Sequence, residues 1–197
     1  MGFVQRPIRV SIIGGMSILK VARMGHPVLR ARAKALDRRD VRSAPVQQLI
    51  DDLVDTMHEY HGVGLAAPQV HESLRIFVAG VDPRAADDDE PAAERAATEP
   101  LVLVNPELTI VDPELVEDWE GCLSIPDIRG RVPRARGISV RALDRNGERI
   151  EFLARDFAAR VLQHEYDHLD GVLFFDRMKA FESLTFLDEY ARFWAKD

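Results

Sequence analysis

Between residues 45 and 60 the apolar positions Val46, Leu49, Ile50, Leu53, Val54 and Met57 recur at helical spacing, with Ser43 placed to cap the first turn. The pattern predicts an amphipathic helix ending near Tyr60. Upstream, Gly25-His26-Pro27 reads as a turn and Val28-Leu29-Arg30 as loop. Downstream, Arg75 to Val81 and Leu101 to Asn105 have strand character, and Glu107 to Val111 extends the second run beyond Pro106. Ile138 to Leu143 and Arg149 to Leu153 flank Asn146-Gly147, a hairpin signal because both turn residues tolerate positive φ. Phe157, Val161, His164 and His168 follow at helical offsets, so a second helix sets two histidines at one end of an apolar stripe. A last amphipathic pattern, Leu184 to Trp194, closes the chain. Helix, strands with a hairpin, then helix is the order of an α+β fold with mainly antiparallel pairing, not of alternating βαβ units.

At 197 residues, 46% hydrophobic and 30% charged, the chain suits a single domain with its own core. Residues 1–15 are expected to be a mobile N-terminal extension, since Met16 is able to serve as a start, and 16–197 to be the domain. A net charge of −7 argues against a general nucleic-acid surface, so no direct DNA binding is expected. Residues 82 to 100, with Asp87-Asp88-Asp89-Glu90, read as a mobile acidic loop. No apolar run approaches a membrane span. Cys122 is the single cysteine, which excludes an intramolecular disulfide and fits a reducing compartment. A cytoplasmic location is expected. Organellar targeting is the lesser alternative, because Arg6, Arg9, Lys20, Arg23, Arg30, Arg32 and Lys34 all precede the first acidic residue, Asp37.

The chemistry gathers in three segments. His164-Glu165-Tyr166-Asp167-His168 is an H-E-x-x-H stretch, known best from zinc proteases, whose histidines share one helix face and are able to share one metal ion. Hydrolysis needs a third protein ligand and an open position. No histidine follows His168, which leaves Glu182 or Glu189 downstream, or Cys122 upstream in Glu120-Gly121-Cys122-Leu123-Ser124. In Gly62-Val63-Gly64-Leu65-Ala66-Ala67-Pro68-Gln69, two glycines allow a tight turn and close backbone approach, and Gln69 is able to donate an amide hydrogen bond to a developing oxyanion. The segment lacks the lysine and hydroxyl residue of a phosphate loop.

Together, G-V-G-L-A-A-P-Q, E-G-C-L-S and H-E-Y-D-H-L, in this order, resemble the peptide deformylase family, and the resemblance runs from about Met16 to Met178, with the V-P-R segment at Val132 to Arg134 included. It implies a central metal-binding helix with antiparallel sheets packed around it. It also implies Cys122, His164 and His168 as metal ligands, Fe2+ as the metal, and Zn2+, Ni2+ or Co2+ as substitutes. The implied reaction is removal of the formyl group from N-formylmethionine at the start of nascent polypeptides. Water is activated by the metal, Glu165 is the general acid and base, and Gln69 with the Leu123 backbone N–H receives the oxyanion. Substrate would lie along Val63 and Gly64, with Arg129 near it and Phe157 and Val161 as pocket wall. Asp167 is a candidate to orient a ligand or to pair with Arg134.

Family members able to dock on the ribosome do so through a basic C-terminal helix. Here Arg177, Lys179, Arg192 and Lys196 are offset by Asp176, Glu182, Asp188, Glu189 and Asp197, so only transient ribosome contact is expected. Phe181, Phe186, Phe193 and Trp194 point to a tail packed on the body or on a second copy, consistent with a monomer or weak homodimer.

Overall fold

The structure is a computed structural model that describes residues 17–83 and 99–195. The expectation of a mobile extension at 1–15, and most of the acidic loop read at 82 to 100, lie outside the described residues.

Helix α1 spans Ala44–Glu59 and buries Val46, Ile50, Leu53 and Met57 along one face. Ser43 is its N-cap residue but makes no side-chain capping bond, so Pro45 in the first turn carries the start signal. The strands form one six-stranded antiparallel sheet. In chain order they are β1 (Gly64–Ala66), β2 (Ile76–Ala79), β3 (Leu101–Cys122), β4 (Ile125–Leu143) and β5 (Arg149–Arg155), neighbours in that sequence, with β6 (Thr185–Phe186) paired to β4. Helix α2 spans Asp156–Leu169 and α3 spans Leu187–Phe193.

Alternation along β2 sets the layers. Phe77 and Ala79 join Leu103, Ile138, Val140 and the α2 residues Ala158, Ala159 and Leu162 in one core. Ile76 and Val78 face the other way, onto Ile50, Leu53 and Met57 of α1. A third cluster, with Leu29, Ile125, Val132, Leu173 and Phe174, packs around Cys122 at the tip of the β3–β4 hairpin.

Several elements depart from the sequence pattern. Strand β3 runs 22 residues and β4 19, far beyond the short runs read from alternation. Register shifts between Val104 and Glu107, Ile110 and Asp112, and Asp112 and Leu115 absorb Pro106 and Pro113 and break the period-two pattern. At the Asn146-Gly147 hairpin only Gly147 has positive φ, at 75°. The loop is held instead by Asp144, whose Oδ1 accepts from the backbone N–H groups of Asn146 and Glu148, both at 2.8 Å. Pro27–Arg30 is a 3-10 helix rather than loop, because Pro27 presets φ and His26 Nδ1 accepts from Val28 N at 3.2 Å. The C-terminal helix is shorter than its apolar pattern, since Thr185 and Phe186 pair with Arg129 and Ile128 of β4 before α3 begins.

Candidate metal centre

Cys122 ends β3, and a two-residue turn, Leu123 and Ser124, leads to Ile125, its pairing partner on β4. The hairpin tip thereby lays the sulfur against α2. Ligand-type atoms of Cys122, His164 and His168 lie within 4.8 Å of one another, all three residues are buried, and Cys122 Sγ is 3.3 Å from His168 Nε2. Glu182 and Glu189, the downstream alternatives, are not in this cluster.

Glu120, two residues before the cysteine, fixes the orientation of His164. Its Oε2 lies 2.9 Å from His164 Nδ1. A carboxylate only accepts, so Nδ1 carries the proton and Nε2 is left free toward the cluster. Arg134 Nε and Nη2 donate to the same carboxylate at 2.9 and 3.0 Å, and Arg160 Nη1 donates to it at 2.8 Å. Burial opposes the Glu120 charge, yet His164 and Arg134 hold its carboxyl well below the ordinary carboxylate range. Arg134 Nη1 also donates to Asp167 Oδ2 at 2.6 Å, and Arg177 Nη2 donates to Asp167 Oδ1 at 2.6 Å. Asp167 therefore supports the centre through Arg134, while Glu120 holds the histidine.

Electrostatics favour positive charge here. Burial alone would raise the Cys122 thiol, but His168 and His164 bring it well below its ordinary value. Burial alone would lower His164, but Cys122 and Glu120 bring it well above its own. His168 Nδ1 and Glu165 Oε2 are buried and have no hydrogen-bond partner among the described residues. One sulfur and two imidazoles around a spot that favours a cation are a donor set for a borderline divalent metal, so the residues fit such an ion.

Burial pushes the Glu165 carboxyl up to about 7, the range of a group that both takes and returns a proton near neutrality. Its carboxylate lies where a Cβ on Gly64 would stand, 2.4 Å from Oε1, so β1 approaches α2 this closely only with glycine at that position. Gln69 sits in a 3-10 helix, Ala67–Val70. Its Oε1 accepts from Ala66 N at 2.8 Å, which turns Nε2 toward Cys122 Sγ at 3.5 Å and Ser124 Oγ at 3.3 Å. Two of the three motif segments are thus joined by one amide.

A cavity of about 730 Å³ opens over this centre and is lined by Val63, Gly64, Gln69, Cys122, Leu123, Arg129, Phe157, Val161, His164 and Glu165. His168 lies behind Cys122 rather than on the cavity wall. The cavity therefore brings Val63, Gly64, Gln69, Leu123, Arg129, Phe157, Val161 and Glu165 together with Cys122 and His164, while Glu182 and Glu189 stand outside both its lining and the cluster. The roles of Glu120 and Arg160 were missed in the sequence. Both stood next to the motifs, Glu120 inside E-G-C and Arg160 one turn before His164, but charge alone does not tell a buried partner from a solvated one. Trp119, Leu187 and Tyr190, which also line the cavity, carried no sequence signal.

The sequence model of the family described as polypeptide deformylase matches residues 18–183. Peptide deformylase 2 of Nostoc sp. is 40% identical over 180 residues, 91% of this chain and 97% of that protein. The chloroplastic peptide deformylase 1B of Solanum lycopersicum is 40% identical over 160 residues, 81% of this chain and 53% of that protein. A crystal structure of class I type b peptide deformylase from Acinetobacter baumannii with Met-Ala-Ser bound superposes with a TM-score of 0.75 at 36% identity, covering 83% of this chain and all of that one. Peptide deformylase from Thermotoga maritima gives 0.71 at 37% identity, covering 83% and 99%.

Proposed function

Since the chain belongs to the polypeptide deformylase family and hydrolyses the formyl group from N-formylmethionine at the start of polypeptides, we propose that Glu165 is its general acid and base. The observation that carries this reading is the buried, partnerless Oε2 of Glu165 beside the Cys122, His164 and His168 cluster.

Cys122, His164 and His168 would hold one divalent metal. Ferrous iron suits the mixed thiolate and imidazole set, and zinc, nickel or cobalt are substitutes. When bound, such an ion supplies Lewis acidity and lowers the pKa of water from about 16 toward about 7. Glu165 takes the proton of the water whose oxygen bonds to the formyl carbon. As that carbon becomes tetrahedral, the formyl oxygen gains charge, and Gln69 Nε2 and the Leu123 N–H donate to it. The C–N bond then breaks, Glu165 returns its proton to the methionine nitrogen, and formate leaves. Val63 and Gly64 offer backbone for an extended peptide, Phe157 and Val161 wall the methionine side chain, and Arg129 stands by the peptide beyond it. The Met-Ala-Ser held by the Acinetobacter relative supports a peptide of this kind as occupant.

Formate release from formyl-Met-Ala-Ser tests the assignment. Glu165→Ala is expected to keep its metal and lose at least about a hundredfold in kcat. Equal rates for both proteins would remove Glu165 from the reaction. Among the described residues no helix is long and apolar enough to cross a membrane. We further propose a single domain over 16–197 that works in the cytoplasm as a monomer or weak homodimer. Its tail from 176 to 197 carries five acidic residues against four basic ones and is not basic, so any ribosome contact is transient.

A further inference from the structure

Upstream of the three motif segments, residues 19–24 run beside the cavity outside any helix or sheet, and the proposed chemistry gives them no part. Val21 and Arg23 line the cavity, while Ala22 between them is buried in the cluster with Cys122 and Ile125. That alternation is the mark of an extended chain. Three backbone N–H groups of this stretch reach three different elements. Leu19 N donates to Thr56 Oγ1 of α1 at 2.9 Å, Ala22 N to the Gln69 carbonyl at 2.7 Å, and Met24 N to the Ser124 carbonyl at 2.8 Å.

The last two bonds join the two places from which the oxyanion donors project. Gln69 carries one donor on its side chain. Ser124 is the second residue of the turn whose first, Leu123, carries the other on its backbone. Side chains tie these two places more loosely, since Gln69 Nε2 stands 3.3 Å from Ser124 Oγ and 3.5 Å from Cys122 Sγ. Alternate residues of an extended chain stand about 7 Å apart, so Ala22 and Met24 span the two carbonyls as a strap of set length. Neither of them lines the cavity, so each acts only through the carbonyl it holds.

Resting on the function proposed above, we propose that Ala22 and Met24 are positioning residues whose backbone N–H groups set the separation between the Gln69 amide and the Leu123 N–H. Both donors must meet one oxygen, and a displacement of about 1 Å is enough to weaken them. That oxygen gains its charge only on the way to the tetrahedral state. The strap therefore bears on kcat and leaves KM and metal binding near their wild-type values.

Met24 gives the milder variant. It is half exposed and is the second residue of a turn in which His26 N donates to the Arg23 carbonyl at 3.0 Å and Gly25 has φ of 102°. Proline suits the position before such a glycine, so Met24→Pro keeps the turn and removes the N–H that holds Ser124. Met24→Ala keeps that N–H.

Formate release from formyl-Met-Ala-Ser by the metal-loaded full chain is the readout. Met24→Pro and Ala22→Pro are each expected to lower kcat by about tenfold or more, with KM within about twofold and metal content unchanged. Met24→Ala is expected to match wild type. In a Gln69→Ala background, Ala22→Pro is expected to cost little further, because the donor it positions is gone. Met24→Pro, on an exposed residue, stands as the test where Ala22→Pro does not fold. Wild-type kcat in Met24→Pro, or an equal loss in Met24→Ala, would overturn the strap. So would a loss that tracks metal content, or one that persists in full in the Gln69→Ala background. Absence of formate with wild type, or unchanged kcat in Gln69→Ala alone, would instead overturn the reading on which the strap rests.

Discussion

Glu120 Oε2 stands 2.9 Å from His164 Nδ1, and this contact decides which imidazole nitrogen faces the cluster with Cys122 and His168. The carboxylate is itself held by Arg134 and Arg160, so the orientation of the histidine traces back through β3 to β4 and to the preceding turn of α2. His168 has no such partner on Nδ1. The two histidines are therefore unequal, one fixed by the protein and one by the sulfur it faces.

Replacing Glu120 by Gln keeps the shape but removes the charge that enforces the Nδ1–H form of His164. Metal affinity is expected to fall by about tenfold or more, the usual effect of losing a ligand's hydrogen-bond partner. Competition with a chelator measures it, with far-UV circular dichroism showing that the protein is folded. Unchanged affinity would mean that packing alone holds the imidazole.

Gly64→Ala tests the close passage of β1 over α2. A Cβ there would stand 2.4 Å from Glu165 Oε1, so the buried carboxylate must shift from its place beside the cluster. Activity is expected to fall by at least about tenfold, since small displacements of a catalytic group cost this much or more. Metal content should stay near wild type because none of the three candidate ligands is touched. Wild-type kcat would show that the carboxylate has slack that its burial conceals.

The parts of the fold with regular periods were legible in the sequence. Val46, Ile50, Leu53 and Met57 give the α1 face, and α2 carries Phe157, Val161, His164 and His168 at helical spacing. Strand β3 was legible only in its first part, because Pro106, Pro113 and the bulges around them hide a continuous strand from any test of alternation. In the site, residue types with metal chemistry marked themselves, and Cys122, His164 and His168 do converge. Asp167 and Arg134 are a candidate pair already in the sequence, and they do bond, but Glu120 and Arg160 look there like any surface charge, and only the tertiary fold shows that all four are buried together. The aromatic part of the cavity wall was illegible for a related reason. Trp119 and Tyr190 are far apart in sequence and meet because a two-residue strand, Thr185–Phe186, folds the tail back onto β4.

Arg134 lies between two buried carboxylates, Glu120 and Asp167, and is itself buried. Arg134→Met fits the same space but leaves both acids short of a counter-charge, with Arg177 and Arg160 as their remaining guanidinium partners. A loss of about 3–5 kcal/mol is expected, the range for breaking one side of a buried ion pair. Urea unfolding monitored by tryptophan fluorescence gives the figure. The double variant Arg134→Met with Asp167→Asn should lose less than the sum of the two single losses, because the uncompensated Asp167 charge is gone. Additive losses would mean that the two residues do not act as one network.

Metal should stabilise the folded chain, because Cys122, His164 and His168 come together only when β3 and α2 are packed. A ligand that binds only the native state adds about 4 kcal/mol when its free concentration is a thousand times its Kd. Dialysis against a chelator is therefore expected to lower the melting temperature, and stoichiometric Zn2+ or anaerobic Fe2+ to restore it. Cys122→Ser keeps the buried volume and removes the thiolate, the soft donor of the set. Its metal-free melting temperature should lie close to that of metal-free wild type, while the upward shift on adding metal should be largely lost. The comparison separates ligation from packing. If Cys122 were only a core residue around which Leu29, Ile125 and Phe174 pack, serine would lower the metal-free melting temperature and leave the metal-induced shift intact. That outcome would move the third ligand elsewhere and undo the assignment of the centre.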